Sequence, residues 1–281
     1  MNLIEEARIF IISAIAATSF CTHGFFHSYL GSLATLITAF LQIYLLYKHK
    51  KNLQLFQVSV RVYLLVIVFY FGRYLSTWYP DKYLALGYHL SVVSAFHLGE
   101  YLVTAIFQPS TVNLDSFILN HSKEFNIAMA TSVAEYFVVQ YFLPTWQLNP
   151  TRIHLGLTLC LFGDFVRKVS MVTAGESFTH LVQHMKRDEH ILITSGVYSV
   201  VRHPSYGGWF LWSVATQLML GNFLCFIGFM GASWKFFSER IEFEEFYLVK
   251  FFGEDYVNYK EKVPFSGVPF CHGFKIVRKR N

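Results

Sequence analysis

The chain has 281 residues, of which 54% are hydrophobic, 19% aromatic and only 15% charged, whereas an ordinary soluble domain carries roughly 25% charged residues. Its net charge of +5 comes from basic residues at segment ends and in the stretch KIVRKRN, with no aromatic-spaced basic groove, so a nucleic-acid partner is excluded. A single soluble core could not bury this much apolar surface, which leaves a membrane protein.

Apolar segments fall near 9–22, 29–47, 60–78, 84–107, 126–143, 152–174, 205–220 and 223–237. The first is preceded by Glu5, Glu6 and Arg8 rather than a purely basic region, and is read as a retained transmembrane helix, not a cleaved leader. The loop after the second segment, KHKKNLQLFQVSVR, carries Lys48, Lys50, Lys51 and Arg61, whereas STWYPDK carries only Lys82 and PTWQLNPTR only Arg152. This asymmetry puts both termini in the cytosol, together with the HMKRDEH loop and everything after Glu239. The last two segments are short, each reaching ~24 Å against a ~30 Å hydrocarbon core. Gly221 and Asn222 join them into a tight hairpin.

Beyond the hairpin, FFSERIEFEEFYLVKFFGEDYVNYKEKV alternates apolar and charged residues at helical spacing and reads as an amphipathic cytosolic helix. Gly253 interrupts it, and VPFSGVP closes it. The expected fold is therefore all-α: a polytopic integral membrane protein with about eight transmembrane helices, including the short C-terminal hairpin, and a cytosolic C-terminal helix. It is expected to form a single membrane domain over 1–281.

Chemistry-bearing residues gather on the cytosolic side. In SGVYSVVRHPSYGGWF, His203 falls at the N-cap of the hairpin's first helix and Pro204 at its first position. The N–H groups of that helix mouth, with Arg202 beside them, form a candidate anion site, although a capped helix with a snorkelling arginine fits the same residues. Arg240 and Glu244 are four apart and share a helix face with Tyr247, Leu248 and Phe251, while Glu245 projects about 100° away. The connector TAGESFTHLVQ…DEHILITSGVYS offers Gln183, His190 and Tyr198, with Gly175 and Gly196 at its turns.

Within the spans lie Arg73, His97, Glu100, Glu135, Asp164 and Arg167. Ionisable groups at that depth need partners, and Asp164 with Arg167 or Lys168 is the expected helical pair. His23 and His27 have metal-ligand spacing but no third ligand, so no metal is expected. The four cysteines form no CxxC pair. No GxGxxG, P-loop, GxSxG or HExxH motif is present.

RHPSYGGW, followed by the hairpin and by RIEFEEFYLVKFFGEDYVNYKEKVP, resembles the isoprenylcysteine carboxyl methyltransferases in its Arg-His-Pro-x-Tyr motif, paired glutamates and Phe-Gly-x-x-Tyr ending. EYLVTAIFQPSTVNLDSFILNHSKEF and TAGESFTHLVQ are also similar to the eukaryotic members. The resemblance covers roughly 90–270, as a methyltransferase core with its cofactor site in 175–260. Residues 1–80 match only as hydrophobic helices.

The resemblance implies methyl transfer from S-adenosylmethionine, leaving S-adenosylhomocysteine, to the α-carboxylate of a C-terminal farnesyl- or geranylgeranyl-cysteine. The protein substrates would be CaaX proteins from which the last three residues have been removed, and membrane lipid would surround the enzyme. It places Gln183, His190, Ile191, Leu192, Ile193, Tyr198, His203, Pro204, Ser205, Tyr206 and Glu244 at the cofactor and Arg240 at the substrate carboxylate. It also implies the endoplasmic reticulum membrane, with the active site facing the cytosol. The competing readings are a membrane NADPH-dependent sterol or steroid reductase with a related Arg-His-Pro-like pattern, a phospholipid methyltransferase and a transporter.

Overall fold

A computed structural model of the chain describes residues 8–15, 17–18, 53–119, 123–186 and 190–276. The expected second span, the His23/His27 loop and the basic cluster at 48–51 lie outside the described residues. Among those described, every regular element is helical, the principal ones being α1 (Leu53–Trp78), α2 (Pro80–Phe107), α3 (Lys123–Phe142), α4 (Pro150–Ala174), α5 (Pro204–Leu220), α6 (Leu224–Phe252) and α7 (Glu254–Lys262), with a single turn at Pro144–Gln147 and short 3-10 turns between. The described part of the first expected span, 8–15 and 17–18, is also helical. Two compact units contain them, Met1–Asn126 with Thr145–Leu148 and Ile127–Pro144 with Asn149–Asn281.

In the first unit, α1 packs on α2 and the chain beyond α2 folds back over both. Tyr101 stacks on Phe117 with centroids 4.1 Å apart, and Val58, Val62 and Ala105 are buried around them. His97, one of the expected intramembrane ionisable groups, finds a partner here, as does Arg61, expected in the loop after the second segment but lying within α1. His97 Nδ1 pairs with the Phe117 carbonyl at 2.9 Å, and Arg61 donates to the Leu114 carbonyl at 2.7 Å.

In the second unit, α4 lies tightly along α5. Gly163 and Gly208 face one another, and a Cβ on Gly163 would stand 2.6 Å from the Gly208 carbonyl oxygen. Only glycine allows this approach, the small-residue device by which membrane helices gain close packing without a hydrophobic driving force. The charged ends of these helices are matched as well. Arg152 Nη1 donates to the carbonyls of Leu218 and Met219 at 2.6 and 2.7 Å, at the negative end of α5. At the other limb of the hairpin, Glu135 accepts from the N–H groups of Phe223, Leu224 and Cys225, all at 2.7 Å, so a carboxylate from α3 caps α6. Gly221, with φ +73°, closes α5, and Asn222 Nδ2 ties the turn to the Ser132 carbonyl at 2.9 Å. Asp164 pairs with Lys168 at 2.7 Å, the second of the two expected partners.

Two helical segments, Gln54–Trp78 and Pro80–Phe107, are long and apolar enough to cross a bilayer. The others fall short for physical reasons. Helix α5 has 17 residues, about 26 Å, and α4 carries Arg152, Asp164, Arg167 and Lys168. Yet α4 exposes Leu155, Leu161, Phe162 and Phe165, a surface suited to lipid rather than water. The segment expected at 223–237 and the amphipathic helix after it form one continuous helix, α6, of 29 residues. At about 43 Å it exceeds the hydrocarbon core and carries its charged half beyond the apolar one. Gly253, with φ +54°, ends α6, and its N–H bonds the Val249 carbonyl.

Candidate active site

Helices α5 and α6 form an antiparallel pair, so the mouth of α5 and the charged half of α6 meet at one end. His203 occupies the N-cap of α5 and Pro204 its first position, as the sequence predicts, but the His203 side chain makes no cap bond. The N–H groups of Tyr206 and Gly207 turn back to the His203 carbonyl. A buried cation adds to the positive end of the helix: Arg167 of α4 donates to Ser205 Oγ at 2.8 Å and lies over the Trp209 ring. Sequence reasoning placed Arg167 only as a helical ion pair, because the partner that fixes it lies 38 residues away.

A cavity opens at this mouth. Its lining includes Gln183, His190, Ile191, Leu192, Ile193, Tyr198, His203, Ser205, Tyr206 and Glu244, so ten of the predicted cofactor residues converge from four separate stretches. Pro204 is buried and supports the first turn of α5 rather than lining the cavity. Tyr247, Leu248 and Phe251 form the wall along α6, and Tyr256 and Tyr259 of α7 close the floor. Burial pushes the Tyr259 phenol up to about 12, so it stays protonated and donates to the Tyr198 carbonyl at 2.7 Å.

Arg240 lines a separate open groove with Leu181, Met185, Phe236 and Phe243. Cavity and groove share Val182 and Gln183. The hydroxyl of Tyr206 joins them: it donates to Glu244 Oε2 at 2.5 Å and accepts from Arg240 Nε at 2.8 Å. Arg240 and Glu244 are therefore not a solvated surface pair. A phenol holds the two charges in one network, and a second Arg240 N–H donates to the His180 carbonyl. The remaining guanidinium N–H groups are available to a carboxylate in the groove.

The paired glutamates have opposite fates. Glu244 faces the cavity, whereas Glu245 is fully buried. Glu245 accepts from Arg202 Nε at 2.8 Å, from the Phe274 N–H at 2.9 Å and from Lys260, and it pairs with His203 Nε2 at 3.3 Å. Burial alone would raise its pKa, but His203, Arg202 and Lys260 together hold the carboxyl down at about 2. Arg202 also donates to the carbonyls of Val263 and Pro264 at 2.7 and 2.5 Å. The cation expected to meet an anion at the helix mouth mainly fastens the chain after α7 to α6.

The site thus offers a polar cavity with a carboxylate and a helix mouth, beside an apolar groove with a guanidinium. This arrangement suits a transferase joining a polar donor to an apolar, anionic acceptor. The family profile of isoprenylcysteine carboxyl methyltransferases matches residues 154–250. The protein-S-isoprenylcysteine O-methyltransferase of Xenopus laevis is 48% identical over 224 residues, covering 79% of this chain and 77% of that protein. The human enzyme of the same name is 42% identical over 221 residues, with the same two coverages. A solved structure of a eukaryotic intramembrane Ras methyltransferase of this family superposes with a TM-score of 0.85 at 38% identity, covering 96% of this chain and 99% of that one. The chain belongs to the isoprenylcysteine carboxyl methyltransferase family and is an integral membrane protein.

Proposed function

We propose that this protein methylates the α-carboxylate of C-terminal prenylated cysteines on CaaX-processed proteins, using S-adenosylmethionine. The observation that carries the reading is the Glu244–Tyr206–Arg240 network, which spans a polar cavity and an apolar groove. The cavity's carboxylate, helix N-terminus and several aromatic walls suit a molecule with both a cation and a carboxylate. The methyl donor supplies an activated methyl on sulfur.

A prenylcysteine carboxylate, with a pKa near ~3.5, is already ionised at pH 7 and needs no general base. Arg240 then has one task, to orient that carboxylate by charge-assisted contact without removing its nucleophilicity. Proximity and in-line placement can supply several kcal/mol of the barrier. Phe236 and Phe243 beside Arg240 give the prenyl chain an apolar approach. Gln183, His190 through Ile193, Tyr198, His203, Ser205, Tyr206 and Glu244 bind the donor, and Pro204 supports them from behind.

The cofactor site lies within 175–260, inside a methyltransferase core over 90–270, and the chain is multi-pass with about eight spans. Both termini and the active site face the cytosol of the endoplasmic reticulum membrane, because the basic residues Lys48, Lys50, Lys51 and Arg61 set that orientation and a charged donor must enter from water. Membranes expressing the chain should form base-labile methyl ester on N-acetyl-S-farnesylcysteine from labelled S-adenosylmethionine. Absence of ester together with NADPH-dependent reduction of a sterol would replace this reading with the reductase one.

A further inference from the structure

The chain after α7 does not run off into water. Residues 264–271 return to the first turn of α5 and the apolar half of α6. Arg202 N–H bonds the Phe265 carbonyl at 3.1 Å and His203 N–H bonds the Ser266 carbonyl at 2.8 Å. Gly267 then packs against Gly207, one turn into α5, so closely that a Cβ on Gly207 would stand 2.5 Å from the Gly267 carbonyl oxygen. One residue further, Val268 is fully buried with Cys271 against Tyr206, Phe237 and Ile241. Trp234 Nε1 donates to the Pro269 carbonyl at 2.7 Å.

Trp234 marks the depth. It sits in the apolar half of α6 on the same face as Ile227 and Met230, all three partly or largely exposed, and next to an exposed Lys235. A Trp–Lys pair near the end of an apolar run is the signature of the bilayer interface. Phe270 follows Pro269 directly, is 89% exposed, and adopts φ +58°. A bulky residue in the left-handed region is uncommon and persists where the surroundings over-determine it. Here Val268 and Cys271 are fixed inward on either side, which turns the Phe270 ring outward. The sequence that follows, KIVRKRN, carries Lys275, Arg278, Lys279 and Arg280, a basic cluster suited to lipid headgroups.

From this juxtaposition we infer that residues 264–271 are a membrane-interface anchor, with Phe270 inserted among lipids beside Trp234 and continuous with the lipid-facing surface of α6. The anchor bears on the active site, because Val268 beneath it belongs to the buried cluster that also holds Tyr206, the residue that links Glu244 to Arg240. The inference needs α5 and α6 to be embedded, but neither the orientation nor the identity of the methyl acceptor.

A photoreactive benzoylphenylalanine in place of Phe270 tests it, with the chain held in phosphatidylcholine nanodiscs. Probes replacing Ile227 on α6 and Lys262 at the end of α7 serve as lipid and water references, and unchanged elution of each variant checks the fold. The expected result is a lipid adduct from position 270 at the yield of position 227, with only background from position 262. A yield equal to that of position 262 would put Phe270 in water, and a polypeptide adduct would assign the surface to a protein partner. Either outcome overturns the inference.

Discussion

Tyr206 is the residue on which the two halves of the site depend. Its hydroxyl donates to Glu244 and accepts from Arg240, and its ring stacks on His203 with centroids 5.7 Å apart. Tyr206→Phe keeps the ring and removes both bonds. Hydrogen bonds to charged groups contribute about 1.5–3 kcal/mol, so affinity for S-adenosylhomocysteine and KM for farnesylcysteine should both weaken, by roughly tenfold or more. Calorimetry and steady-state kinetics read the two effects separately. Glu244→Ala should weaken S-adenosylhomocysteine binding far more than acceptor binding; equal loss of both would return Glu244 to a scaffolding role. The sequence placed Glu244 and Glu245 about 100° apart on a helix, but not which one faced the cavity. That choice came from the family resemblance. The inward turn of Arg202 was not legible, because its partners at Val263, Pro264 and His272 lie 61 to 70 residues away.

At the scale of elements, most of the helical pattern was written in the hydrophobic runs. The predicted 126–143, 152–174 and 205–220 became Lys123–Phe142, Pro150–Ala174 and Pro204–Leu220, with Asn149 capping Arg152 N–H and prolines starting both later helices. The amphipathic helix read as following the last apolar segment is continuous with it through Phe252, the residue composition changing from apolar to charged midway while the helical period does not. Helix pairing was invisible, since the Gly163–Gly208 approach needs both helices in place. Gly208→Leu should force α4 and α5 apart at a cost of about 1–3 kcal/mol or more, read as a lower midpoint of thermal unfolding in detergent. An unchanged midpoint would contradict the tight packing.

The buried Glu245 clamp predicts a pH response of the same kind. Its pKa falls from 4.5 to about 2 on folding. A carboxyl with a depressed folded pKa contributes stability that is complete above its unfolded pKa and lost as pH falls through the folded one. The chain after α7 should therefore stay docked at pH 5 and loosen progressively between about 4.5 and 2. Hydrogen exchange at Phe274 and its neighbours, followed across that range, should show protection falling in wild type. Glu245→Gln should already be less protected at pH 7, with a flatter profile. A wild-type profile independent of pH would remove Glu245 from the clamp.

For the whole molecule, a greasy chain pairs a polar cavity with an apolar groove, and the Tyr206 hydroxyl links Arg240 in the groove to Glu244 in the cavity. The measurement that tests this most directly compares N-acetyl-S-farnesylcysteine with its carboxamide, using the wild-type chain and Arg240→Ala. The account predicts turnover of the acid alone by wild type. It predicts a loss of kcat/KM of about 3 kcal/mol, on the order of a hundredfold, in Arg240→Ala, with S-adenosylhomocysteine binding retained. Methyl transfer to the acid that survives Arg240→Ala undiminished would contradict it.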